Sequence, residues 1–133
     1  MFPDGIEFLE FDSDDIENIM TKLSLEEIDT LSFGAIRLDA NGTILQLNRT
    51  EGRIGNVDPK TAIGKNFFTE LAPCTNTPSF RGAFERVKHQ QDSTFKTLIE
   101  YTFNAPGMRP TKVLVHIKKS IVADSLWIFV KRL

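Results

Sequence analysis

Gly64-Lys65-Asn66-Phe67-Phe68-Thr69-Glu70-Leu71-Ala72-Pro73-Cys74-Thr75-Asn76-Thr77-Pro78 carries the only cysteine of the chain, set among several devices that fix main-chain direction. Asn66 is placed to cap a short helix whose Phe67, Phe68 and Leu71 face inward, and Pro73 ends that helix by excluding Ala72 from the α region. Cys74 is therefore expected on a fixed connection rather than in a regular element. Thr77-Pro78 reads as the N-cap and first-turn proline of a longer helix, whose N–H groups and positive dipole end lie near the sulfur. Such a setting favours thiolate over thiol.

A thiolate by itself defines no reaction. Cysteine catalysis needs a base, and the two histidines fall near the end of a predicted helix (His89) and inside a predicted strand (His116), neither within a cysteine-enzyme motif. A lone buried cysteine is commonly an inert small hydrophobe. Any special role for Cys74 has to come from its neighbourhood.

Working outward, the crossover is flanked by strands. Phe33 to Leu38 and Thr43 to Asn48 read as a hairpin turning through Asp39-Ala40-Asn41-Gly42, whose Asn-Gly is a strong turn signal. Asp58-Pro59 starts a turn-like helix that Gly64 ends. The helix after Pro78 places Phe80, Ala83, Phe84 and Val87 on one buried side. Three strands close the chain: Thr94 to Phe103, Thr111 to Lys119 with Val113, Val115 and Ile117 alternating against polar neighbours, and Leu126 to Lys131 with Trp127 and Phe129 on one face. Asn104 to Pro110 and Val122 to Ser125 supply the turns. At the other end, Asp12 or Ser13 caps a helix bearing Ile16, Ile19, Met20 and Leu23, and Ser24 with Glu27 forms a capping box for a second helix with Leu25 and Ile28.

Two strands, a helical crossover and three antiparallel strands predict an α+β domain: one five-stranded antiparallel sheet, helices over one face, and residues 1–30 as an N-terminal helical cap on a core of residues 31–133. The crossover must then enclose space against the sheet. A chain of 133 residues suits one domain, burying roughly two thirds of its unfolded surface. One cysteine excludes an internal disulfide, and no apolar run reaches membrane-spanning length. The acidic start lacks the features of a secretory signal, so a cytoplasmic protein, monomeric or weakly dimeric, is expected.

The net charge of -2 conceals an asymmetry, since residues 1–30 hold ten acidic residues against one lysine and the remainder holds eight acidic against fifteen basic. The basic body lacks a basic run with interleaved aromatics, which argues against nucleic acid as a partner. Its expected partner is the chain's own acidic segment, held loosely because exposed charges are screened.

The blocks Phe33-Gly-Ala-Ile36, Glu51-Gly52, Asp58-Pro-Lys60, Ile63-Gly-Lys-Asn-Phe-Phe68, Ala72-Pro-Cys-Thr75, Glu100-Tyr-Thr-Phe103, Pro110-Thr-Lys-Val113 and Phe129-Val-Lys-Arg132 resemble the photoactive yellow protein family, from about Asp15 to the C-terminus. The Asn-Phe-Phe block followed by Ala-Pro-Cys-Thr is specific to that family; Asp-Pro-Lys and the hairpin fit many PAS domains. The resemblance implies a PAS fold and a bacterial blue-light receptor, not an enzyme. It also implies a 4-hydroxycinnamoyl (p-coumaroyl) group held as a thioester on Cys74, signalling to an unknown downstream protein. It assigns Glu51 as a neutral carboxyl that donates to the phenolate and hands over its proton after trans–cis isomerisation. Phe67, Phe68 and Phe103 become pocket walls, and Met108 lies near the chromophore.

Departures from the family pattern cluster at the phenolate end. Leu47 stands where a tyrosine hydroxyl is usual, Gly55 where a threonine is common, and Val57 where an arginine often covers the pocket. Ala105 and Pro106 replace an aromatic in a lengthened loop. One charge-assisted hydrogen bond to a buried anion is worth about 1.5–3 kcal/mol, so its loss raises the phenol pKa by roughly one to two units. The dark state is thus expected to be a mixture with more protonated near-ultraviolet form, or red-shifted, unless Asn48, Thr50 or a water restores a donor. The alternative is a PAS sensory module that has lost the phenolate chromophore and binds another ligand or a protein.

Overall fold

The computed structural model describes residues 16–90, 97–104, 109–120 and 124–133. The expected cap at Asp12 or Ser13, the start of the third strand before Thr97, and Ala105, Pro106 and Met108 lie outside these residues.

Five strands, β1 (Gly34–Asp39), β2 (Ile44–Leu47), β3 (Thr97–Phe103), β4 (Thr111–Lys119) and β5 (Ser125–Arg132), form one antiparallel sheet in the order β2-β1-β5-β4-β3. The α+β reading therefore holds. Along one face, Ile36 sits opposite Ile128, and Ile128 opposite Ile117. These side chains join Val113, Val115 and Val130 in a core closed by the crossover. Its elements are α3 (Arg49–Gly55), α4 (Pro59–Ala62), a π-helical turn (Phe67–Leu71), a 3₁₀ turn (Pro73–Thr75) and α5 (Phe80–Lys88).

The sequence pattern did not predict α3. Two glycines in seven residues lower helix propensity there. Asn48 nevertheless caps it by accepting the Glu51 N–H, and the turn survives because its inner side packs on β1 and the core.

Helices cover both faces of the sheet, not one. On the second face α1 (Ile16–Thr21) and α2 (Leu25–Asp29) place Ile16, Met20 and Ile28 against Phe33, Ala35, Trp127 and Phe129. His116 and Lys118, read as polar neighbours on an open side, are fully buried as a result. The capping box forms as expected, with Ser24 Oγ accepting from Glu27 N–H and Glu27 Oε1 accepting from Ser24 N–H. The described part of the cap packs through these apolar side chains; six of its ten acidic residues precede residue 16 and lie outside the described residues, as does the charge pairing expected of them.

The hairpin anchors the crossover. Gly42 has φ +89°, and a Cβ there would come within 3.0 Å of the Phe68 ring, so the turn and the close approach both require glycine. Register slips between Arg37 and Leu38, leaving Leu45 as the extra, outward-facing residue of β2. Ile44 exchanges hydrogen bonds with the segment after α4, donating to Lys65 O and accepting from Gly64 N–H, while Phe67 N–H donates to Gly42 O. Asn66 then caps the π-helical turn by accepting from the Phe68 and Thr69 N–H groups, and its own amide donates to Asn41 O.

Candidate functional site

Pro73 acts as the sequence predicts. Ala72 adopts φ -132°, ψ 67°, which ends the preceding turn and begins the single 3₁₀ turn that carries Cys74. Thr77 performs its expected capping: its hydroxyl accepts from Phe80 N–H and its carbonyl from Arg81 N–H, although regular helix starts only at Phe80. Phe67 and Phe68 turn inward onto Phe80 and Phe84, in edge-to-face or tilted pairs with centroids 5.0–6.3 Å apart. Cys74 is left half-buried at the edge of this aromatic core.

Beside it lies a cavity of about 610 Å³ lined by Glu51, Gly55, Val57, Phe67, Glu70, Leu71, Ala72, Pro73, Cys74, Phe103 and Asn104. Its walls run from buried residues (Glu51, Phe67, Phe103) to an exposed rim (Glu70, Pro73, Asn104). Six of the residues singled out from the sequence thus share one space: Cys74, Glu51, Gly55, Val57, Phe67 and Phe103. Leu47 and Phe68 are buried in the adjoining core and contribute nothing to the wall. Met108 falls outside the described residues. Neither histidine is part of the wall: His89 caps the far end of α5, 3.7 Å from Glu85, and His116 packs against Phe129 on the cap side of the sheet. The thiol has no histidine base beside it.

Glu51 is the unusual group. It is the third residue of α3, its main chain fixed by Asn48, and its side chain is driven back against β1. A Cβ on Gly34 would overlap its Oε1, so the glycine in β1 makes room for the carboxyl. Only 4% of Glu51 is exposed, and Oε1 has no hydrogen-bond partner. Burial raises its pKa from 4.5 to about 8, because the charged form would lie in low dielectric without compensation. A neutral carboxyl therefore projects into the cavity at pH 7. It can donate one hydrogen bond to a guest, and among the described residues its buried Oε1 has no hydrogen-bond partner.

Asn48 and Thr50, the candidate replacements for a missing donor, are both committed elsewhere. Asn48 accepts from Ala35 N–H and Glu51 N–H, and its amide donates to Ile28 O and Phe33 O. The Thr50 hydroxyl donates to Leu31 O at 2.6 Å. Both stitch α3 to the chain between α2 and β1. Sequence reasoning missed Tyr101, whose hydroxyl donates to Cys74 O at 2.5 Å from the neighbouring strand. Only the fold brings these two residues together.

A five-stranded sheet with a helical crossover enclosing a ligand-sized cavity defines a PAS-type sensory domain, and residues 26–131 match the PAS fold family. Solved structures agree: the photoactive yellow protein domain of the sensor histidine kinase Ppr from Rhodospirillum centenum superposes with a TM-score of 0.80 at 36% identity, covering 86% of this chain and 98% of that one. Photoactive yellow protein of Halochromatium salexigens is 50% identical over 92% of this chain and 96% of its own length; that of Rhodothalassium salexigens is 47% identical over 96% and 99%. The chain belongs to the photoactive yellow protein family, a family of PAS photoreceptors and not of enzymes. No described helix is long and apolar enough to cross a membrane.

Proposed function

We propose that this chain is a blue-light receptor that carries a 4-hydroxycinnamoyl group as a thioester on Cys74. The observation that carries this reading is the orphaned, neutral carboxyl of Glu51 in the wall of the cavity that also holds the only cysteine. The fit is chemical. Phe67, Phe103, Val57 and Leu71 offer apolar walls for a ring, the thiol offers a point of attachment, and Glu51 offers one donor for a phenolic oxygen.

Attachment needs an activated acid. The sulfur attacks the acyl carbon, the S–C bond forms as the bond to the activating group breaks, and the thiol proton leaves with that group. When bound, the acyl group supplies visible absorption and a double bond that isomerises in light. The protein's own part is to hold the proton on Glu51 while that carboxyl has a hydrogen-bonded partner. Once that proton is given up, a carboxylate is left buried without compensation. Such a charge loosens the first turn of α3, which Asn48 ties to Ile28 of the cap and Thr50 ties to Leu31 just after it. The signal to a downstream protein is then conformational.

The test is to mix purified apoprotein with activated 4-hydroxycinnamic acid and follow visible absorbance and intact mass. A Cys74 adduct whose absorbance bleaches and recovers with light supports the receptor. Absence of an adduct on folded apoprotein overturns it in favour of a PAS module that binds another ligand or a protein.

A further inference from the structure

Three glycines surround Glu51, and two of them are required by packing. Gly34 leaves room for the Glu51 carboxyl, and a Cβ on Gly52 would come within 2.8 Å of Val57 O. Gly55 has no such reason. It lies at the end of α3 without the left-handed backbone that would call for glycine; Asn56 takes that conformation, with φ 53°. A Cβ at position 55 would meet Glu51 Oε2 at 3.4 Å and Val57 Cγ1 at 4.0 Å, both ordinary contacts. Glycine in a helix lowers its stability relative to alanine, so its presence here is not explained by folding. What it does is leave the cavity wall bare next to the carboxyl.

The cavity's size points the same way. A cavity of ~150 Å³ holds benzene, so a 4-hydroxycinnamoyl group of about eleven non-hydrogen atoms needs roughly 280 Å³ on the same scale. The space is about 610 Å³, partly open at its rim, and at the buried Glu51 end its lining includes Gly55, which supplies no side chain.

We propose that Gly55 is a specificity-determining residue that opens the Glu51 end of the cavity to 4-hydroxycinnamic acids bearing a ring substituent beside the phenolic hydroxyl, such as a methoxy group. This rests on the receptor reading above, in which Cys74 takes the acyl end and Glu51 the hydroxyl. A substituent next to that hydroxyl then meets position 55, and a branched side chain there occupies the same volume.

The experiment is a competition. Apoprotein is offered equal amounts of imidazole-activated 4-hydroxycinnamic acid and 4-hydroxy-3-methoxycinnamic acid, and the two Cys74 adducts are counted by intact mass. The wild type is expected to carry the methoxy acyl group on at least about half of its adducts. The variant Gly55→Val is expected to lower the ratio of methoxy to unsubstituted adduct about tenfold, the discrimination that a filled apolar pocket exerts on a group of this size. Gly55→Ala should lie between, and its ratio decides the matter if the valine variant fails to fold by circular dichroism. A wild-type preference for the unsubstituted acid of about tenfold or more, or a ratio unchanged in folded variants, overturns the proposal. If neither acid forms an adduct while Cys74 still reacts with iodoacetamide, the receptor reading fails and the proposal falls with it.

Discussion

Tyr101 holds Cys74 from behind the cavity: its hydroxyl donates to the Cys74 carbonyl oxygen at 2.5 Å and lies 3.0 Å from the Thr77 hydroxyl. The ring is packed edge-on against Phe80, with centroids 5.0 Å apart, and belongs to β3 rather than to the crossover. One side chain thereby fixes the 3₁₀ turn to the sheet. Tyr101→Phe keeps the ring contacts and removes the hydrogen bond, which predicts a loss of about 1 kcal/mol in urea unfolding. In isotope-edited infrared spectra the Cys74 carbonyl should move to higher frequency. An unmoved carbonyl band would show that the bond is not made in solution.

The buried carboxyl of Glu51 makes stability depend on pH in a definite direction. Its pKa is raised in the folded protein, from 4.5 to about 8, so the unfolded chain releases this proton first as pH rises. Relative to acid conditions, this group therefore destabilises the apoprotein progressively between pH 4.5 and 8, by at most about 5 kcal/mol. Glu51→Gln removes that dependence. The variant should gain several kcal/mol over wild type between pH 5 and pH 8, measured as the difference of two urea titrations. A difference that stays constant with pH would mean Glu51 is not buried as a neutral acid.

Much of this arrangement was legible because local chemistry decided it. Asn66 with Pro73, and Ser24 with Glu27, are short-range devices whose geometry follows from the residues themselves. The stripe of Phe80, Ala83, Phe84 and Val87 declares its helix face, and all four are buried. Helix α3 was not legible, because Gly52 and Gly55 argue against helix and only tertiary packing overrides them. Its start was signalled all the same, by Asn48 followed three residues later by Glu51. The double coverage of the sheet was written in Leu126-Trp127-Ile128-Phe129-Val130, an unbroken apolar run that fits a strand buried on both sides better than an alternating one. The Tyr101–Cys74 bond joins residues 27 apart in sequence, and no local pattern encodes it.

Leu47 sets an expectation for the spectrum of the loaded protein. It is buried and apolar where the family resemblance calls for a tyrosine hydroxyl, and the committed hydrogen bonds of Asn48 and Thr50 leave neither free to replace it. With Glu51 as the one wall donor identified at that end, the phenol should ionise roughly one to two pKa units higher than with a second donor present. A pH titration of the dark absorption spectrum should therefore show a substantial near-ultraviolet, protonated fraction, and Leu47→Tyr should lower the midpoint. A chromophore wholly ionised down to strongly acidic pH would contradict this.

Asn48 links the carboxyl to the cap. Its side-chain oxygen accepts from Glu51 N–H and Ala35 N–H, while its amide donates to Ile28 O at 2.9 Å and Phe33 O at 3.1 Å. A change in charge at Glu51 acts on the same helical turn that these four bonds tie to α2 and β1, so the cap and the carboxyl share one fastening. Removing it with Asn48→Ala deletes four hydrogen bonds, among them those that the buried Ala35 and Glu51 N–H groups make to its side-chain oxygen, at a cost of about 3 kcal/mol. Amide exchange across residues 25–33 should then accelerate even in the dark. In the wild-type holoprotein, illumination should raise exchange in the cap, residues 1–30, and Asn48→Ala should shrink the difference between light and dark because the fastening is already gone. Equal exchange of the cap in dark and illuminated wild type would remove it as the moving part and place the signal in the crossover itself.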